Sequence, residues 1–124
     1  AIIMTKFKEM QRKGNFTKDK LKEFVHQNFH PVGGELDQWT PSDWVPDPSF
    51  VHSIKEPEYQ KFAQGLNDLW KILGRRMKEE IAEHPSRHSL LSVPHPFIVP
   101  GDRFGEFYYW DTYWIIKGLL LCDM

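Results

Sequence analysis

From Pro57 to Glu83 apolar residues recur at spacings of three and four. Tyr59, Phe62, Ala63, Leu66, Leu69, Trp70, Leu73, Met77 and Ile81 form the series, and Lys71, Arg75, Arg76, Lys78, Glu79 and Glu80 fill much of the rest. That period is the one an α-helix imposes on a chain with one buried face. Pro57 suits a first helical turn, and His84-Pro85 ends the pattern. The spacing predicts one helix over 57–83, about 40 Å long at ~1.5 Å per residue. A helix of that length with an apolar stripe needs other helices to cover it. A chain of 124 residues barely supplies them.

Two shorter helical patterns flank it. Leu21, Phe24, Val25 and Phe29 share a face, with Thr17 as N-cap, so a helix is predicted over 17–29. A further helical piece is expected over 7–13. A last helix is predicted to start between Phe107 and Asp111 and run to the end. The segments between are irregular. Gly33-Gly34, Pro31, Pro41, Pro46 and Pro48 preclude a long helix over 30–51. Trp39 and Trp44 within it imply a wrap pinned onto a core rather than a free linker. Over 86–105, Pro94, Pro96 and Pro100 alternate with Val93, Phe97, Ile98 and Val99 and give a stiff extended approach.

Charge excludes several partners. Sixteen basic and 17 acidic residues leave a net charge of -1, so nothing steers the chain to nucleic acid or to an anionic membrane. The longest apolar runs fall far short of the ~20 residues of a membrane span. Cys122 is the single cysteine and has no internal disulfide partner. No signal peptide is visible. The chain lacks an initial Met and stops inside an apolar run, so it is expected to be part of something larger. Asn15-Phe16-Thr17 is a glycosylation sequon, with meaning only in a secreted protein. Two histidine pairs have i, i+4 spacing, His26/His30 and His84/His88. The first ends a helix and the second straddles Pro85, so neither is read as a zinc site.

Aromatic content is high, at 15%. Much of it is concentrated in 102–113, where Arg103, Glu106 and Asp111 stand among Phe104, Phe107, Tyr108, Tyr109, Trp110 and Tyr113. Such a cluster has the three groups a neutral, hydroxyl-rich ligand needs. Asp111 accepts from paired hydroxyls, Arg103 donates to ring or linkage oxygens, and Trp110 offers a face for stacking. Glu106 and Asp111 are five apart and make a poor acid/base pair by themselves. The competing reading is structural: an Arg103–Glu106 salt bridge, Asp111 at a helix N-terminus, and the rings as core.

The stretch Pro100-Gly101-Asp102-Arg103-Phe104-Gly105-Glu106-Phe107-Tyr108-Tyr109-Trp110-Asp111-Thr112-Tyr113 resembles the first signature of the trehalases of glycoside hydrolase family 37, Pro-Gly-Gly-Arg-Phe-x-Glu-x-Tyr-x-Trp-Asp-x-Tyr. The resemblance continues through Trp114 to Leu121 and back through Leu69-Trp70-Lys71 to Trp39 and Trp44. It looks most like the animal, especially insect, branch. The resemblance implies an all-α fold, part of an (α/α)6 barrel with long irregular loops, with 1–124 as a single region at the N-terminal side of a larger catalytic domain. It implies an inverting hydrolase of α,α-trehalose, with trehalose as small-molecule partner and neither cofactor nor metal. Arg103, Trp110 and Asp111, with Phe104 beside them, map onto sugar contacts. The catalytic acid and base of the family belong to later segments, so no catalytic residue is expected here. The implied setting is secreted or membrane-anchored on the outside, with any anchor outside this chain. A non-catalytic carbohydrate-binding domain and a purely structural helical domain are the alternatives.

One fixed position differs. Asp102 stands where the signature has Gly. Gly permits a positive φ or close backbone approach, and Asp tolerates left-handed geometry better than most residues. Its carboxylate would also sit beside Arg103 and compete with the sugar for it.

Overall fold

A computed structural model describes residues 2–14, 16–31 and 33–124, so Asn15 of the sequon lies outside the described residues. By contact the chain falls into two units, Ala1–Gly34 and Glu35–Met124.

The first unit is a pair of helices, α1 (Ile2–Arg12) and α2 (Lys18–Asn28). The Thr17 hydroxyl accepts from the Lys20 N–H at 3.3 Å, the N-cap bond its position predicts. The earlier helix starts at Ile2 rather than Phe7. Phe7 joins the two: its ring meets Phe16 edge-on at 5.8 Å and Phe24 at 5.6 Å.

The second unit is built on α3 (Pro57–Leu73), with Pro57 in its first turn as expected. The predicted helix over 57–83 is not continuous. After Leu73 the chain becomes strand β2 (Gly74–Met77), then a short helix α4 (Glu79–Glu83). β2 is the centre of a three-stranded antiparallel sheet, flanked by β1 (Leu36–Gln38) and β3 (Phe97–Ile98). Leu73, Met77 and Ile81 keep a helical spacing, and that is why the period misleads. Met77 and Ile81 are buried, but one from a strand and the other from α4. The break falls at Gly74, the residue that leaves a helix at least cost.

Arg75 explains how the break is tolerated. Its guanidinium donates to the carbonyls of Ile72 and Gly74, both at 2.8 Å, and to Gln38 Oε1 at 2.7 Å. Gln38 Nε2 donates to the carbonyls of Lys71 and Ile72. The orphan carbonyls at the end of α3 are thus satisfied, partly by a cation at the negative end of the helix dipole. Arg75 is therefore a capping residue, not the solvated helix face its sequence context implied.

The 39–54 stretch wraps α3, as its tryptophans predicted. Trp44 Nε1 donates to the Asn67 carbonyl at 3.0 Å, and Asn67 Nδ2 returns a bond to the Val45 carbonyl at 2.7 Å. Asn67 is 1% exposed; the exchange satisfies its Nδ2, while its Oδ1 is buried with no hydrogen-bond partner among the described residues. Gln60 donates to the Ile54 carbonyl and Gln64 to Asp47. Val51, on a single 3-10 turn over Ser49–Ser53, joins Ala63, Met77, Ile81, Ile98, Val99 and Cys122 in the core.

The last helix, α5 (Tyr109–Leu121), starts where predicted but stops short of the end. Cys122 Sγ accepts from Trp70 Nε1 at 3.2 Å, and the Asp123 carboxylate accepts from Ser49 N and Oγ at 2.6 and 3.0 Å. Those bonds need Asp123 turned out of the helix, at φ 60°. A Cβ on Gly118 would lie 2.9 Å from the Trp70 ring, so Gly118 lets α5 approach α3 closely.

The fold is mostly helical. The sheet is the part no apolar period announced, because strands of two to four residues are too short to show one.

Candidate functional site

The sheet has a positional consequence. β3 leads through Val99 and Pro100 into a tight turn at Gly101–Phe104. Phe104 N donates to the Gly101 carbonyl at 3.0 Å, and Gly101 N to the Phe104 carbonyl at 3.4 Å. Val99 N donates to the Leu73 carbonyl at 3.0 Å, which ties the approach to the end of α3. The turn that carries Arg103 is therefore fixed by the sheet, and the sheet exists because α3 breaks at Gly74.

Asp102 is the first central residue of this turn, at φ 50°, and Arg103 does not share the positive φ. A positive φ at that position is one that Gly adopts at no steric cost. The Gly of the family signature thus has a local physical reason, and Asp102 bears the cost of its Cβ. Asp102 forms no ion pair with Arg103, so the competition expected from its carboxylate is not present. Asp102→Gly is expected to leave stability within about 0.5 kcal/mol of the parent, because relief of the left-handed strain is offset by a freer unfolded chain. Asp102→Val should cost roughly 1–2 kcal/mol. Urea midpoints of the two variants check the order, and a Val variant as stable as the Gly variant would contradict it.

The structure places the four expected sugar contacts on two adjoining elements. Arg103 and Phe104 sit on the turn, and Trp110 and Asp111 in the first turn of α5. Arg103 is exposed, with its guanidinium over the Phe104 ring at 4.9 Å. Phe104 meets Tyr108 edge-on at 5.9 Å. Trp110 is 71% exposed and meets Trp114 edge-on at 5.8 Å. Asp111 is half-buried, close to the positive end of the α5 dipole.

The Arg103–Glu106 salt bridge of the structural reading does not form. Among the described residues, the side chains of Arg103, Glu106 and Asp111 make neither a hydrogen bond nor an ion pair. Asp111 does take the helix N-terminal place that reading gave it, but most rings of 104–114 are not core: Tyr109 is 98% exposed, and Phe104, Tyr108, Trp110, Tyr113 and Trp114 are all exposed, while Phe107 is half-buried against Phe97. A guanidinium, a carboxylate and an indole face, none spent on the fold, lie within nine residues of one another. The residue that sequence reasoning passed over is Tyr108. It is the N-cap of α5, and its carbonyl accepts from Thr112 N at 2.9 Å and Thr112 Oγ1 at 2.6 Å.

The histidine pairs do not converge on a common centre with acids. Among the described residues no group of three or more His, Cys, Asp or Glu side chains is arranged to hold a metal ion. The His88 side chain is 5% exposed, with Nδ1 3.8 Å from Glu35. No described helix is long and apolar enough to cross a membrane.

The trehalase family model matches residues 1–124. The chain belongs to the trehalase family. It is 46% identical over 124 residues to a trehalase of Homo sapiens, covering 98% of this chain, and 43% identical over 126 residues to one of Pimpla hypochondriaca, covering all of it. It is 47% identical over 108 residues to a trehalase of Apis mellifera, covering 87%. The chain spans 21% of the length of the first two relatives and 17% of the third. Membership gives the Asp102 position its meaning, since the one departure from the family signature falls on a turn residue of positive φ, where Gly is physically preferred.

Proposed function

We propose that residues 1–124 are the N-terminal portion of a larger trehalase catalytic domain, in which Arg103, Phe104, Trp110 and Asp111 grip one glucose unit of α,α-trehalose. The observation that carries this is the uncommitted state of Arg103 and Asp111 beside an exposed Trp110, in a chain that belongs to the trehalase family. A sugar has hydroxyls for the carboxylate and the guanidinium and a C–H face for the indole.

Helix surfaces support the wider architecture, an (α/α)6 barrel. On α3, Ala63, Asn67 and Trp70 face the wrap and α5, while Tyr59, Phe62, Leu66 and Leu69 are exposed. α5 is apolar on nearly every side, yet none of its residues is buried. A helix apolar all round belongs in the interior of a larger protein. Further barrel helices would cover both surfaces.

The proposed reaction inverts configuration. An acid protonates the linkage oxygen as it leaves, and a base activates water on the opposite face of the sugar. Both groups belong to the rest of the domain, and the residues here hold the ring in place for them. The setting we propose is extracellular, secreted or held on the outer face of a membrane.

The test is glucose release from trehalose by the full-length protein and by the purified 124-residue chain, with the first product anomer read by polarimetry or NMR. The full-length protein should release one α- and one β-glucose, the mark of inversion, and the short chain should show no turnover. Hydrolysis by the short chain, or two α-glucose products, would overturn the assignment.

A further inference from the structure

We infer that Tyr108 is a positioning residue, whose ring braces Phe104 and, through it, holds Arg103 at a fixed offset from Trp110 and Asp111. This rests on the sugar-gripping reading above. The two halves of the site are on different elements, so something must set their spacing. Tyr108 belongs to both. Its backbone is extended at φ -130° and ψ 140° and starts α5, with its carbonyl bonded twice to Thr112. Its ring, at the same time, meets the Phe104 ring at 5.9 Å and 88°, and the other side of that contact is the turn. Among the described residues the Arg103 side chain makes neither a hydrogen bond nor an ion pair, and its guanidinium lies over the Phe104 ring at 4.9 Å. The chain of contacts runs from guanidinium to phenyl to phenol ring to the first residues of α5. A flexible guanidinium without a hydrogen-bonded anchor depends on such a platform for its aim, and small misplacements of a binding group weaken catalysis strongly.

The brace uses the ring and not the hydroxyl, and the cap uses the backbone, so both survive Tyr108→Phe. In the full-length protein, Tyr108→Phe should keep kcat/KM for trehalose within about 3-fold, and Tyr108→Ala should lower it about 10- to 100-fold. Because the ring acts through Phe104, Tyr108→Ala placed on Phe104→Ala should cost less than 3-fold more. Tyr108→Leu fills the volume without an aromatic edge and serves if the Ala variant does not fold; it should lose activity like Ala. Tyr108→Phe as damaging as Ala, a Leu variant of full activity, or a fully additive double variant would each overturn the brace. Arg103→Ala separates the two levels. If Arg103→Ala leaves kcat/KM unchanged, the sugar-gripping reading itself fails. If it lowers kcat/KM while Tyr108→Ala does not, only the brace fails.

Discussion

Arg103→Ala or Asp111→Ala, each in the full-length protein, is expected to lower kcat/KM for trehalose about 10²- to 10³-fold with little change in the unfolding midpoint. Each side chain is free of bonds to the rest of the described structure, so its removal leaves no buried partner unsatisfied. A charge-assisted hydrogen bond to a ligand is worth about 1.5–3 kcal/mol, and one that strengthens in the transition state is worth more. The same reasoning separates the two residues from Arg75. Arg75→Ala would remove the charged donor shared by the Ile72 and Gly74 carbonyls and should act first on stability. Steady-state kinetics beside thermal unfolding make the distinction. An Arg103→Ala protein with unchanged kinetics, or one that loses activity only because it unfolds, would remove Arg103 from the site.

Gly74→Ala is expected to be the most damaging single methyl group in the chain. Its Cβ would lie 2.0 Å from the Trp39 carbonyl oxygen and 3.1 Å from the Trp39 carbonyl carbon. The oxygen is backbone within a ladder, where Trp39 N also donates to the Gly74 carbonyl, so it cannot swing aside. Relief requires parting β1 from β2, and we expect a loss of about 3 kcal/mol or more. Activity should fall with it, because β2 holds β3 and β3 delivers the turn with Arg103. Gly65→Ala is the natural contrast. Gly65 lies inside α3 with nothing near its missing Cβ, and Ala there should stabilise by roughly 0.5–1 kcal/mol. Urea denaturation of both variants checks the pair. Equal stabilities would mean that the sheet does not constrain position 74.

Both expectations depend on features that differ in how legible they were. The helix starts were written locally. Thr17 announces α2 through a side-chain bond three residues on, and Pro57 announces α3 through a fixed φ. The 39–54 wrap was legible from its tryptophans, since a large ring in an irregular segment finds a partly buried place, as Trp39 and Trp44 do. The end of α3 was not legible. Leu73, Met77 and Ile81 fit one helical face, and only contact with Leu36–Gln38 and Phe97–Ile98 made a strand the better state for Gly74–Met77. The ladder bonds and the Arg75 and Gln38 caps come from residues far away in sequence, and no local pattern encodes them.

The family was legible in the sequence alone, and so was the segment from which the proposed site is drawn, because Arg103, Phe104, Trp110 and Asp111 fall in one continuous stretch of matching residue types. Which of those groups remain free for a ligand was decided only in three dimensions. The Arg103–Glu106 pair is as reasonable on paper as an open site, and the structure, with Arg103 on the turn and Glu106 in the irregular segment before α5, does not form it. The meaning of Asp102 was decided there too. Its charge drew attention in the sequence, but its backbone is what matters, since it occupies the left-handed position of a turn held between β3 and α5. A conformation imposed by neighbours on both sides belongs to the fold, and it can be read only once those neighbours are in place.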